Sequence, residues 1–262
     1  MPIKLDPANI RKSINAFKKQ TNEIGLIINP IINNYRLKEK EKLEVCQIGK
    51  FLYNINPNLR ILEKPAPPNP DFILNFEGKI IGLEHTRIIN ALKTQKFFSI
   101  SKLFDDAAIE FKTTNPEAKI CATFRLNYNL TFKQQDKNNL IKTISSFVSE
   151  AIKGNFENQP DFINEINIFP NTIVSFKYLE GDFTSSYLTI TDLQKAISAK
   201  EKKLQKYYSQ SNLINEFWLV LMIGSLNSAS FKINENENYK TKSIFDKVFL
   251  MSDFSENIIE IQ

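Results

Sequence analysis

The clearest pattern of hydrophobic and polar residues lies between residues 70 and 86. Two apolar runs, 72–76 and 79–83, flank the dipeptide Glu77-Gly78. Short β-rich runs split by a two-residue break that contains glycine are typical of a β-hairpin. In the register that this turn predicts, Phe76 faces Lys79, and Asp71 faces Glu84.

The remaining apolar periodicity predicts alternating helices and strands. We expect helices over 7–20, 36–54, 97–113, 137–153 and 191–208. We expect strands over 60–62, 173–178 and 217–223, and a strand or a hairpin over 120–130. A capping box at Thr191-Asp-Leu-Gln194 is predicted to begin the last of these helices. The run 217–223 is apolar throughout, which is typical of a strand buried on both faces.

Some segments leave alternatives open. Residues 25–32 fit a strand or a helix, and residues 244–251 fit a strand or a short helix. Residues 155–170 are predicted to be irregular, and the end of the chain is predicted to form a peripheral strand. The prediction is an α/β fold with a central mixed β-sheet flanked by helices. We place an N-terminal helical extension at 1–35 and a single domain at 36–262, with an insertion around 90–190.

Composition narrows the function classes. A net charge of +5 and a pI near 9.0 are compatible with a polyanionic partner without requiring one. The chain has one histidine, His85, which excludes a two-histidine zinc site within it. No apolar run approaches the ~20 residues of a membrane span, and the first residues lack the apolar core of a signal peptide. Cys46 and Cys121 form no metal-binding spacing, so we expect free thiols in a reducing, cytoplasmic setting.

The predicted hairpin sets two acidic residues against each other. Cβ atoms of facing residues lie about 4.5–5.5 Å apart, and like charges there are destabilising. A hard divalent cation reverses this effect, because Mg²⁺ accepts oxygen ligands at about 2.0–2.1 Å. Asp71 and Glu84 therefore predict half of a metal site. The alternative is a surface hairpin whose two acids are solvated separately.

Pro70-Asp71 at the start of one strand and Glu84-His85-Thr86 at the end of the next resemble the core of the PD-(D/E)XK nuclease-like superfamily. One residue departs from the family pattern, because Thr86 stands where the family has lysine. The resemblance covers residues 36–86 and 191–224. It implies a restriction-endonuclease-like core and hydrolysis of phosphodiester bonds with Mg²⁺, or Mn²⁺, as cofactor. DNA is the expected substrate ahead of RNA, and restriction or phage defence is the expected setting.

The resemblance also implies roles for individual residues. Asp71 and Glu84 would be metal ligands, the carbonyl of His85 could coordinate as well, and Glu44 on the preceding helix could add a ligand. Thr86 cannot supply the positive charge of the missing lysine, so we expect Lys200 or Lys203 to supply it from the 191–208 helix.

The same helix is a candidate nucleic-acid surface. Lys200, Lys203 and Tyr207 lie at i, i+3 and i+7, and Lys206 adds to the basic face that would hold a phosphate backbone. Each role has a structural alternative. Glu44 and the lysines fit a solvated helix surface, and His85 fits a packed residue better than a general base.

Two other functions remain in competition with a nuclease. Thr86 favours a nuclease-like fold that has lost catalysis and serves as a nucleic-acid-binding or protein-interaction module. A structural partner within a larger defence complex is the third reading. The sequence leaves a homodimer open and predicts no membrane association.

Overall fold

The computed structural model describes residues 6–127, 130–179, 186–208, 213–224, 229–255 and 257–262, without the side chains of 205, 206 and 208. The helices are α1 (Pro7–Asn34), α2 (Glu39–Ile55), α3 (Ala91–Thr114), α4 (Lys137–Ala151) and α5 (Ile190–Tyr208), with a 3-10 turn at Gln134–Asp136. The strands are β1 (Arg60–Glu63), β2 (Phe72–Phe76), β3 (Lys79–Arg87), β4 (Ile120–Leu126), β5 (Ile163–Pro170), β6 (Ser175–Leu179), β7 (Ser186–Tyr187), β8 (Glu216–Ile223), β9 (Phe231–Lys232), β10 (Lys247–Ser252) and β11 (Ile258–Glu260).

The chain folds as two units. The first comprises 1–88, 187–224 and 232–262, and the second comprises 89–186 and 225–231. The first unit contains a six-stranded sheet in the order β1-β2-β3-β8-β10-β11. Strands β3, β8 and β10 run parallel, whereas β1, β2 and β11 pair antiparallel with their neighbours. The predicted α/β fold with a central mixed sheet flanked by helices is therefore confirmed.

The hairpin of β2 and β3 has the predicted register. Phe76 pairs with Lys79 and Phe72 pairs with Leu83. Asp71 and Glu84 are the next residues outward from the turn, one on each strand side. The turn residues Glu77 and Gly78 have φ angles of 52° and 83°. Positive φ at both central residues is the geometry of the two-residue hairpin turn whose twist matches that of the strands.

Helices cover both faces of this sheet. On one face, α1 and α2 pack on alternate residues of β2, β3, β8 and β10, in a core that includes Phe51, Phe72, Leu83 and Trp218. On the other face, α5 contributes Leu193, Ile197, Leu204 and Tyr207, all of them buried. Strand β8 is buried along residues 217–223, as its unbroken apolar run predicts.

The second unit is built on a three-stranded sheet in the order β5-β4-β6. Helices α3 and α4 pack on the sheet face that carries Ala122, Phe124 and Phe176. The prediction of an irregular segment over 155–170 was confirmed for residues 155–162, which lie outside any helix or strand. It was wrong for Ile163–Pro170, which form β5 and pair antiparallel with β4. A register shift opposite Arg125 and Leu126 explains the difference, since it interrupts the strict alternation by which a strand is recognised.

Two helix boundaries also differ from their predictions. Helix α1 does not end near residue 20 but runs through Pro30 to Asn34, which resolves residues 25–32 as helix. The predicted capping box at Thr191 was wrong. The Thr189 hydroxyl instead accepts a hydrogen bond from the Asp192 amide (3.1 Å) and donates one to the Asp192 carboxylate (2.7 Å). Across the described ranges, none of the helices combines the length and apolar character needed to cross a membrane.

Candidate active site

The hairpin brings its two acidic residues together at the end where β2 begins. Asp71 immediately precedes β2, and its Oδ2 accepts a hydrogen bond from the backbone N–H of His85 (2.9 Å). This bond extends the antiparallel register by one step and holds the Asp71 carboxylate beside Glu84. The Asp71 side chain is 32% exposed, whereas the Glu84 side chain is 1% exposed. One acid is therefore open to solvent and the other is enclosed.

A lysine from α5 joins the two carboxylates. The Lys200 ammonium lies 2.5 Å from Glu84 Oε2 and 3.2 Å from Asp71 Oδ2, with 12% of the side chain exposed. The remaining Glu84 oxygen, Oε1, accepts a hydrogen bond from the Tyr207 hydroxyl (2.7 Å). Both Glu84 oxygens are thus engaged by α5, and the four side chains form one connected group.

The packing under this group depends on a glycine. Gly82 lies two residues before Glu84 on the same face of β3, directly beside Phe217 of β8. A Cβ at Gly82 would lie 2.8 Å from the Phe217 ring. The Tyr207 ring stacks on Phe217 with centroids 6.2 Å apart. The missing side chain at Gly82 therefore lets Phe217 lie flat, and Phe217 in turn supports the tyrosine that reaches Glu84.

The two carboxyl groups have opposite pKa shifts. Burial and the neighbouring Asp71 charge raise the pKa of Glu84, and the contacts with Lys200 and Tyr207 offset this only in part. Burial also acts to raise the pKa of Asp71, but the Lys200 charge and the His85 N–H bond outweigh it, so this pKa is lowered. Burial acts to lower the pKa of Lys200, and the two carboxylates outweigh it and raise that pKa. Lys200 is therefore a charged ammonium at neutral pH.

The donor set fits a magnesium site of the two-carboxylate kind. Mg²⁺ is usually held by one or two carboxylates together with waters and substrate phosphates. Asp71 and Glu84 supply two such carboxylates, and in this structure the Lys200 ammonium contacts both of them. In the described ranges there is no group of three or more His, Cys, Asp or Glu side chains suited to hold a metal ion. The remaining ligands would have to come from water, a backbone carbonyl or the substrate.

Glu44 and the His85 side chain make none of the hydrogen bonds or ion pairs described for this group. Glu44 forms an ion pair with Lys64, with 3.7 Å between Oε2 and Nζ. His85 alternates with Glu84 along β3, so its ring points to the opposite face of the sheet. The ring is buried, its Nε2 has no hydrogen-bond partner among the described residues, and burial lowers its pKa to about 4. It is a neutral, packed histidine at pH 7.

The residues of α5 that were predicted to bind nucleic acid differ in their exposure and contacts. Lys203 is exposed and makes none of the contacts described for Lys200. The Lys206 side chain lies outside the described part of the chain. Tyr207 is 5% exposed, and its hydroxyl is used by Glu84. It thus belongs to the support of the acidic pair, a role that the sequence analysis missed.

A signal for this role is present in the sequence. Leu193, Ile197, Lys200, Leu204 and Tyr207 follow one another at spacings of four and three residues. This is the stripe that one face of a helix presents to a core. A lysine within such a stripe requires a buried acid, because an unpaired charge there is costly.

Comparison with protein families, with curated proteins and with solved structures gives no match for this chain.

Proposed function

We propose that this chain is a metal-dependent nuclease that hydrolyses phosphodiester bonds in DNA, with Mg²⁺ or Mn²⁺ as cofactor. The observation that supports the proposal is the convergence of Asp71, Glu84 and Lys200 at the open end of the hairpin. The resemblance to the PD-(D/E)XK superfamily supports the same reading. Lys200 supplies from α5 the charge that Thr86 cannot supply from β3.

Each residue has a distinct role in the proposed reaction. A bound divalent ion would polarise the phosphate and lower the pKa of an attacking water. Asp71 and Glu84 are the carboxylates that would hold it, and Tyr207 fixes the orientation of Glu84 through Oε1. The Lys200 ammonium is charged and within reach of the same space, so it can donate a hydrogen bond to a phosphate oxygen and stabilise the charge that develops there.

Lys200 must also move for this reaction to proceed. The Lys200 ammonium contacts both of the carboxylates that would hold the ion. Lys200 would therefore have to release at least one carboxylate before both could hold a metal ion. Asp71, the more exposed acid with the longer contact, is the one we expect it to release first.

The experiment is a cleavage assay on plasmid, linear and single-stranded DNA with Mg²⁺, Mn²⁺ or Ca²⁺. We expect cleavage with Mg²⁺ or Mn²⁺, and its loss in both Asp71→Asn and Glu84→Gln. Glu63→Gln is the matched control, since Glu63 is an exposed strand acid outside the site. The proposal fails if the folded wild-type chain cuts none of these substrates, or if either site variant keeps full activity.

A second function is favoured by one observation. The ion triad of Asp71, Glu84 and Lys200 is complete without a metal, which suits a nuclease-like fold that binds nucleic acid without cleaving it. In that case we expect DNA binding that weakens with salt and no cleavage with any of the three ions. Equal DNA affinity of wild type and Lys203→Gln would argue that α5 is not the binding surface.

A further inference from the structure

The N-terminal part of α1 extends beyond the helix against which the rest of α1 packs. Residues 7–19 are all exposed, and the buried residues of this 28-residue helix are Ile27, Ile28 and Ile31. The neighbouring helix α2 ends at Ile55, and the Tyr53 hydroxyl bonds Glu23 (3.0 Å) near that end. Residues 7–19, which we call the free half of α1, therefore extend about 20 Å along the helix axis at 1.5 Å per residue.

The free half carries the continuation of the face that packs on α2. Apolar or small side chains alternate at spacings of four and three along one line of the helix: Ile10, Ile14, Phe17, Thr21, Ile24, Ile28 and Ile31. This seven-residue repeat is the seam by which one helix packs along another. We call this line of residues the α1 seam.

The two halves of the α1 seam differ only in whether they are covered. In the second half α2 fits closely, because a Cβ at Gly49 would lie 2.3 Å from Ile28 and 3.2 Å from Ile24. In the free half Ile10, Ile14 and Phe17 are 39%, 47% and 68% exposed. Most of the stability of a helix in a protein comes from packing of its apolar face, and the free half lacks that contribution. The exposed seam of the free half is therefore suited to packing by a second helix.

The charges on the free half identify the chemistry of that helix. Arg11, Lys12, Lys18 and Lys19 lie within residues 7–19, and no Asp or Glu does. Arg11 and Lys18 each follow a seam residue directly, which are the flanking sites whose charges select a partner helix. A helix that covers the seam would gain from acidic residues opposite these two.

Other occupants meet only part of these conditions. A parallel copy of this chain would meet α2, which already covers the seam at Ile24 and Ile28. An antiparallel copy would bring Arg11 of each chain near Lys18 of the other, with no acid on either segment to offset the repulsion. Nucleic acid would neutralise the cations but leave the seam in water.

We propose that the free half of α1 is a docking helix for an acidic amphipathic helix of another protein. The partner helix packs its apolar residues on Ile10, Ile14 and Phe17 and places Asp or Glu against Arg11 and Lys18. This inference does not rest on the proposed nuclease activity, since it uses none of the site residues.

The test uses the full chain and two synthetic peptides of three heptads. Both peptides carry leucine and isoleucine along one seam; one has Glu at the flanking sites and the other has Lys. We expect the Glu peptide to bind, with an affinity that falls as salt rises, and the Lys peptide to bind far more weakly. Ile14→Ser or Phe17→Ser should weaken binding about tenfold or more, the effect of exposing one buried apolar side chain.

The controls distinguish specific docking on the seam from non-specific hydrophobic binding to α1. Leu26→Ser is the matched control, because Leu26 is 73% exposed on the same helix but lies off the seam. The double reversal Arg11→Glu, Lys18→Glu should transfer the preference to the Lys peptide. The proposal is overturned if neither peptide binds, or if both bind equally and the charge reversal changes neither affinity. It is also overturned if the chain binds only anionic vesicles, or if sedimentation shows salt-dependent self-association that Ile14→Ser abolishes.

Discussion

Lys200→Met isolates what the central ammonium contributes. Methionine keeps the unbranched, flexible shape of the lysine side chain but removes its charge. The substitution leaves Glu84, 1% exposed, opposite Asp71 with no cation between them. Breaking a buried ion pair by removing one partner costs about 3–5 kcal/mol. Because Asp71 is 32% exposed and can be solvated in part, we expect a loss of about 3 kcal/mol in the free energy of unfolding, the lower end of that range.

Urea unfolding followed by fluorescence measures this loss directly. Trp218 is the sole tryptophan and is 3% exposed in the core, so its emission reports the folded state. The loss should shrink as pH falls. Protonation of Glu84, whose pKa is raised by burial and by the Asp71 charge, removes the unpaired charge. Lys203→Met is the control, since it removes an exposed lysine from the same helix and should leave stability unchanged.

Mg²⁺ should restore part of the stability that Lys200→Met loses. Without Lys200 the two carboxylates are free to bind Mg²⁺, and an ion at 100 times its dissociation constant adds about 2.7 kcal/mol to stability. Mg²⁺ should therefore stabilise Lys200→Met more than it stabilises wild type, and Glu84→Gln in the same chain should cancel the difference. If Lys200→Met unfolds at the same urea concentration as wild type, the ammonium is not an essential partner of the acids. If Mg²⁺ stabilises neither protein, the carboxylates do not form a metal site.

Three further substitutions test the surroundings of the acidic pair. Tyr207→Phe removes a hydrogen bond to a charged group and should cost about 1.5–3 kcal/mol of unfolding free energy in urea denaturation, with no effect if Glu84 does not need this donor. Gly82→Ala should destabilise the chain by about 1–3 kcal/mol, because its Cβ would meet the Phe217 ring at 2.8 Å; unchanged stability would show that the ring moves freely. His85→Leu should flatten the pH dependence of stability, as measured by unfolding at pH 4 to 7. The folded chain, with a His85 pKa of about 4, binds fewer protons than the unfolded chain below pH 6.5. Wild type should thus lose up to about 3 kcal/mol as pH falls through this window, and an equal loss in His85→Leu would contradict the buried, neutral state.

The hairpin could be predicted because its determinants are local. The dipeptide Glu77-Gly78 fixes the turn, the turn fixes the register, and the register places Asp71 beside Glu84. Strand β8 could be predicted for the same kind of reason, because a strand buried on both faces has apolar side chains at consecutive positions. Nothing outside these short stretches is needed for either inference.

The choice between Lys200 and Lys203 could not be made from the basic face assigned in the sequence analysis, because that face contained both lysines. In the structure the Lys200 side chain is 12% exposed and contacts Glu84, whereas Lys203 is exposed. The two positions lie only about 60° apart around the helix axis. Which of them faces the acids is therefore decided by how α5 packs on the sheet, and this packing is not encoded in the spacing of the lysines.

The arrangement of the triad also explains how the acidic pair is compatible with folding. Two facing carboxylates would repel each other in an empty site, and the repulsion would be greatest for the enclosed Glu84. The Lys200 ammonium offsets it, and the Tyr207 hydroxyl satisfies the oxygen that Lys200 does not reach. The first unit can therefore hold both acids in place with no bound ion. The same feature makes metal binding a competition with an internal cation, so that affinity for Mg²⁺ should rise when Lys200 is removed even as the chain becomes less stable. If the three residues formed only a structural salt bridge, removal of Lys200 would lower the stability and leave the affinity for Mg²⁺ unchanged. Lower stability together with higher Mg²⁺ affinity would therefore distinguish a metal site occupied by lysine from a purely structural ion pair.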